Sequence, residues 1–177
     1  MERELKWLKK YNDDDWIYEI DEGNTARFVL GVTGDNPLVC FGINTSTAEP
    51  LKPDATLQRV ERYAYKHGYD SWIMLNVYPQ RATDPKHLHI TLDQSLHQKN
   101  LEVIDKVLKK GDLKLWAAWG TLIGVRPYLC NCLNDIKKIA SVNNCKWYSV
   151  IDGIPVHPLY RVKGFKLYES DLIPLSI

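Results

Sequence analysis

The chain has 177 residues, 45% of them hydrophobic, and a formal net charge of +1. That length fits a single domain, residues 1–177, with a sizeable core, and there is no run of about 18 apolar residues to span a membrane. A balance of 23 basic against 22 acidic side chains gives no support to a protein that grips duplex DNA through its phosphates. Residues 1–15 are charged and lack an apolar signal core, and Cys40, Cys130, Cys132 and Cys145 form no C-x-x-C pair. A reducing cytoplasm is therefore the expected location. The histidines add no ligand pair at metal-binding spacing, so neither a metal nor a cofactor is expected.

Residues 2–10 carry Leu5, Trp7 and Leu8 among lysines, the pattern of a short helix or a frayed start, and Asp13-Asp14-Asp15 reads as a solvated turn. Residues 16–20 alternate Trp16, Tyr18 and Ile20 against Ile17 and Glu19, as an edge strand does. Gly23-Asn24 turns the chain, and residues 27–32 form a second extended segment, so the two predict an N-terminal β hairpin. After the break at residues 34–37, the apolar run of residues 38–41 suits a buried parallel strand. Gly42, Ile43 and Asn44 end it, followed by Thr45, Ser46 and Thr47.

Asp54 is the expected N-cap of a helix that carries Leu57, Val60, Ala64 and His67 on one face and stops at Gly68. Residues 71–77 form the next strand, with Asn76 near its end, and residues 78–88 form a polar loop. A helix at residues 98–109 groups Leu101, Ile104 and Leu108, and Gly111 stops it. Residues 113–119 make a third strand, after which Gly120 opens a turn. Pro127 sits near the start of a helix with Leu129, Leu133, Ile136 and Ile139 inward. Residues 146–151 form the fourth strand, followed by the turn at Asp152-Gly153 and the segment Val156-His157-Pro158-Leu159-Tyr160-Arg161.

Strand and helix alternate from residue 37 onward. This predicts an α/β fold, a three-layer α/β/α sandwich around a central four-stranded parallel sheet with right-handed crossovers, plus the N-terminal hairpin. Such sheets bind ligands beyond the carboxyl ends of their strands. Asn44, Asn76, Gly120 and His157 each stand at one of the four ends. Two amides, a glycine and an imidazole can hydrogen-bond a planar heterocycle and stabilise negative charge developing on it. Each also has a plainer use: Asn44 as a turn cap, Asn76 as an Asx turn, His157 as a hydrogen-bonded structural histidine. Asp54 most simply caps its helix, and Arg59 most simply pairs with Glu61 or Asp54. Alternatively Arg59 and Arg81, the latter on the loop after Asn76, would hold a phosphate or carboxylate in bidentate fashion. The run of residues 116–119 reads as core.

The order of these segments resembles the uracil-DNA glycosylase superfamily. Gly42-Ile43-Asn44 is similar to its water-activating motif, Leu75-Asn76 to the strand end that reads the flipped base, Trp119-Gly120 to the Trp-Gly preceding a helix, and His157-Pro158-Leu159 to its His-Pro-Ser loop. Thr45 and Ser46 stand where that family has proline and glycine, and Leu159 where it has serine. The chain also resembles a bacterial and phage family of proteins of unknown function. That likeness rests on Asn44-Thr45-Ser46-Thr47-Ala48, on Asp54, Thr56 and Arg59, on Asn76 with Arg81-Ala82-Thr83, on Trp119-Gly120, and on His157-Pro158-Leu159-Tyr160.

The resemblance implies a uracil-DNA-glycosylase-like fold and an N-glycosidase. Asn44 would position water and His157 would stabilise the departing base. Asn76 would hold that base, with Gly42, Ile43, Thr45, Ser46, Asp54, Arg59, Arg81 and Tyr160 around the substrate. The expected partner is a nucleobase, nucleotide or nucleic acid, with the near-zero net charge favouring a small substrate or a single strand. The alternatives are a module that binds a nucleotide or modified base without cutting it, and a protein that meets another protein through an aromatic surface.

Overall fold

A computed structural model describes residues 5–177 of the chain. The strands are β1 (Trp16–Ile20), β2 (Arg27–Val32), β3 (Pro37–Gly42), β4 (Ser71–Asn76), β5 (Lys114–Ala117), β6 (Lys146–Ser149) and β7 (Ile173–Pro174). The helices are α1 (Ala55–Lys66), α2 (Gln94–Leu108) and α3 (Tyr128–Val142). All seven strands join one sheet in the order β1-β2-β4-β3-β5-β6-β7. The inner four, β4, β3, β5 and β6, run parallel. The β1–β2 hairpin adds antiparallel to β4, with Trp16 opposite Val32 and Leu30 opposite Met74.

Side-chain alternation along the strands gives the sheet two buried faces. Leu38, Cys40, Trp72, Met74 and Trp116 pack under α1 with Leu57, Val60, Tyr63 and Ala64. Val39, Phe41, Ile73, Leu75 and Leu115 pack on the other face under α2 and α3, with Val103, Ile104, Leu108, Leu129 and Ile136. Helices therefore cover both sides, with α1 on one face and α2 and α3 on the other.

Several boundaries differ from the sequence expectation. Helix α2 begins at Gln94, four residues early, because the Asp93 side chain accepts from Leu96 N at 3.0 Å and starts the helix there. The third and fourth parallel strands are shorter than expected, since ladder pairing ends at Ala117 in β5 and at Ser149 in β6. Strand β7, which pairs antiparallel with β6, was not foreseen.

The stretch of residues 2–10, expected as a short helix or a frayed start, lies partly outside the described residues, and residues 5–10 are not helical. That stretch is instead held by Glu61. Its carboxylate accepts from Leu8 N at 2.7 Å, Lys9 N at 3.3 Å and Tyr11 Oη at 2.6 Å. Trp7 stacks on Trp72 with ring centres 5.1 Å apart. The expected pairing of Arg59 with Glu61 or Asp54 is absent, because Glu61 is taken up by this arm. Arg59 instead donates to Pro158 O at 3.1 Å.

Candidate functional site

The carboxyl ends of β3 and β4, the turns after β5 and β6, and the start of α1 enclose a cavity of about 260 Å³. Gly42 and Met74 line it, and Gly42 is paired with Asn76 at the ends of β3 and β4. A methyl group on Gly42 would come within 2.7 Å of Met74 Cε and 3.0 Å of Asn76 Oδ1. Glycine thus keeps open the space beside that amide. Asn76 is 1% exposed, and neither its amide nitrogen nor its oxygen has a hydrogen-bond partner among the described residues. An unpaired buried polar group costs about 1–3 kcal/mol.

Ile43 and Asn44 continue the lining from the end of β3. Asn44 Nδ2 donates to Ala82 O at 2.6 Å and Thr45 O at 3.1 Å. The loop after β4 therefore fixes the amide and leaves its oxygen as an acceptor. Ser46 and Asp54 also line the cavity. The Ser46 hydroxyl donates to Asp54 Oδ2. Asp54 Oδ1 accepts from Leu57 N at 2.8 Å as the N-cap of α1. Both carboxylate oxygens are thus engaged.

His157 reaches the same cavity from the segment after β6. Its Nδ1 accepts from Leu159 N at 3.1 Å, so the neutral ring carries its proton on Nε2 and can donate from there. Burial holds the imidazole pKa below its ordinary value of 6.5, with the nearby Asp54 charge opposing and Arg59 reinforcing the shift. The ring is therefore neutral at physiological pH. Between β3 and His157, Trp119 lines the cavity, packed edge-on against Trp147 at 5.2 Å.

Other expected site residues lie outside this lining, and Asn76, buried behind Gly42, is one of them. Thr45 is buried and its hydroxyl donates to Pro79 O at 3.1 Å. Arg81 spends its guanidinium on the hairpin and the loop after β3. It donates to Asn24 Oδ1 at 2.9 Å, Tyr18 Oη at 2.9 Å and the Ser46 carbonyl. Arg59 is bound to Pro158 O, and Tyr160 is exposed with its ring against Phe165.

Sequence reasoning missed Arg27, which lines the cavity at 2% exposure. Its Nη1 donates to Ala48 O at 2.9 Å, while Nε has no partner. Burial pushes its pKa down to about 10; the neighbouring Arg81 adds to this, and Asp54 and Tyr18 oppose it. Its only signal was an arginine heading an otherwise apolar run. Trp119 belongs to the core as expected, and it also forms part of the cavity wall, which sequence does not distinguish.

A larger hollow of about 380 Å³ lies between the hairpin and α2, lined by Ile17, Val29, Ile73, Val103 and Val107 with Glu19, Lys106 and Lys110. None of the unpartnered buried polar groups belongs to its lining. Among the described residues, no group of three or more His, Cys, Asp or Glu side chains is arranged to hold a metal ion, and no helix is long and apolar enough to cross a membrane.

No curated protein and no solved structure matches the chain. The family described as a protein of unknown function, DUF1643, matches residues 27–159, a stretch that opens at Arg27, closes at Leu159 and contains every residue lining the cavity. The chain belongs to the DUF1643 family.

Proposed function

We propose that the cavity binds a nucleobase-bearing ligand and that the protein cleaves its N-glycosidic bond. The observation that carries this reading is the meeting, in one cavity, of a neutral imidazole with its N–H on Nε2 and an asparagine amide whose oxygen is left as an acceptor. In the proposed reaction the base lies against Asn76, and the bond from the sugar carbon to the base nitrogen breaks heterolytically. The electron pair leaves with the base, and His157 Nε2–H stabilises the resulting negative charge. Water held at Asn44 Oδ1 adds to the oxocarbenium carbon, and its proton passes to solvent or to the departing base. Trp119 offers a ring face or edge to the heterocycle.

The parallel strands with the cavity at their carboxyl ends support a uracil-DNA-glycosylase-like fold, and the four strand-end segments follow that superfamily's order. A net charge of +1 favours a nucleoside, nucleotide or single strand over a duplex. A second reading, binding without cleavage, is favoured by Asp54. Each of its oxygens already accepts a hydrogen bond, one from Ser46 and one from the start of α1, so the carboxylate that lines the cavity is committed to holding the scaffold.

The test is to incubate the folded protein with oligonucleotides containing uracil, hypoxanthine or modified bases, and with free nucleosides and nucleotides, while following released base by chromatography. Release from at least one substrate, lost in His157→Ala and Asn44→Ala, is expected. Ligand-induced thermal stabilisation without release would select the binding reading. Neither release nor stabilisation by any of these compounds would end both.

A further inference from the structure

We propose that Arg27 is the anion-binding residue of this cavity, so that the ligand is a nucleotide whose phosphate sits on the β2 side. This rests on the proposed function for the base and adds the charged group. Arg27 is 2% exposed, yet it lines the cavity together with Asn44, Asp54 and His157. A guanidinium has five N–H donors, and the bond to Ala48 O is the only hydrogen bond this one makes from its side chain among the described residues. Its Nε is buried and unpartnered.

No carboxylate forms an ion pair with it among the described residues. The acid that bears on it, Asp54, already serves Ser46 and the α1 N-terminus. A second cation crowds the same place, since Arg81 Nη1 approaches the same Ala48 carbonyl at 3.4 Å. A buried guanidinium is normally matched by an oxyanion. Holding one backbone carbonyl does not require a guanidinium, because a lysine could do that.

Placement agrees. Arg27 heads β2, Asn76 ends the adjacent β4, and His157 follows β6 on the far side of β3. Arg27 therefore lines the cavity from its β2 side, away from His157, where a charged group on a base held between Asn44 and His157 could reach it.

The test is isothermal calorimetry and thermal shift on the full chain with nucleoside 5′-monophosphates, the matching nucleosides and inorganic phosphate. The proteins compared are wild type, Arg27→Lys, which keeps a charge and a donor for Ala48 O, and Arg27→Gln, with folding checked by circular dichroism. In the wild type, the best monophosphate should bind at least ~10-fold more tightly than its nucleoside. The preference should shrink in Arg27→Lys and vanish in Arg27→Gln. Equal affinity for nucleoside and monophosphate in the wild type, or a preference unchanged in folded Arg27→Lys, would overturn the assignment while leaving the base reading intact. Arg27-dependent binding of inorganic phosphate, with no nucleotide binding more tightly, would keep the anion site and remove the base reading.

Discussion

At the end of β4 both ends of the Asn76 amide are buried without a partner among the described residues, while the equally buried Asn100 lacks one only at its Oδ1 and donates from its Nδ2 to Asn76 O at 3.0 Å. Asn100 thereby supports the strand end, and the proposed function gives the Asn76 amide its partner in the bound ligand. Replacing an unsatisfied buried amide with an apolar group of similar size relieves its desolvation cost. Asn76→Leu should therefore raise the melting temperature of the free protein, by roughly 2–6 °C in scanning calorimetry, and abolish ligand-induced stabilisation. A drop in melting temperature would show that the amide is satisfied in the free protein.

His157 gives a pH-dependent counterpart. Its folded pKa lies below the ordinary 6.5, so the unfolded chain takes up the proton more readily. The stability it contributes is complete above 6.5 and is lost as pH falls through the lower folded value. Protonation also removes the Nδ1 acceptor of Leu159 N. Urea midpoints across about pH 5–8 should show wild type losing stability on the acid side more steeply than His157→Asn; parallel curves would contradict this. Asn44 and His157, which line the cavity, stand out in sequence because a polar residue following an apolar strand has few packing uses; Asn76 stands out for the same reason but is not part of the lining. Arg27 was not, since a charge at the head of a strand ordinarily marks an exposed edge.

The elements around the site show where local pattern is and is not enough. Helix α1 was readable from Asp54 through Gly68 because its cap and its apolar face both lie in consecutive sequence. The first turn of α2 was not, because residues 94–97 carry the polar composition of the preceding loop and only Asp93 marks the start. Glu61 was misassigned for a different reason. Its partners lie about fifty residues earlier, on the arm of residues 8–11, and sequence spacing does not reveal them. Glu61→Ala strips those three donors of their acceptor and should cost roughly 2–3 kcal/mol. Amide exchange at Leu8 and Lys9 should accelerate with it, as measured by hydrogen–deuterium exchange. Unchanged exchange there would mean that Trp7, stacked on Trp72, holds the arm alone.

Across the whole molecule, strand–helix alternation after residue 37 sufficed to foresee four parallel strands between helical layers, because a parallel crossover needs a connecting helix of that length. The two-residue β7 has no alternation to read, and it exists only because β6 offers an unpaired edge. The topology gathers segments from residue 27 to residue 159 at the carboxyl ends of the parallel strands, where residues of both buried faces meet in the cavity. The most direct measurement is a crystal structure of the protein soaked with nucleobases and nucleoside monophosphates. The account predicts a base in this cavity with the Asn76 amide and His157 Nε2 within hydrogen-bond distance of its ring substituents. A ligand bound on another surface, or a base in the cavity that leaves Asn76 unpaired, would contradict it.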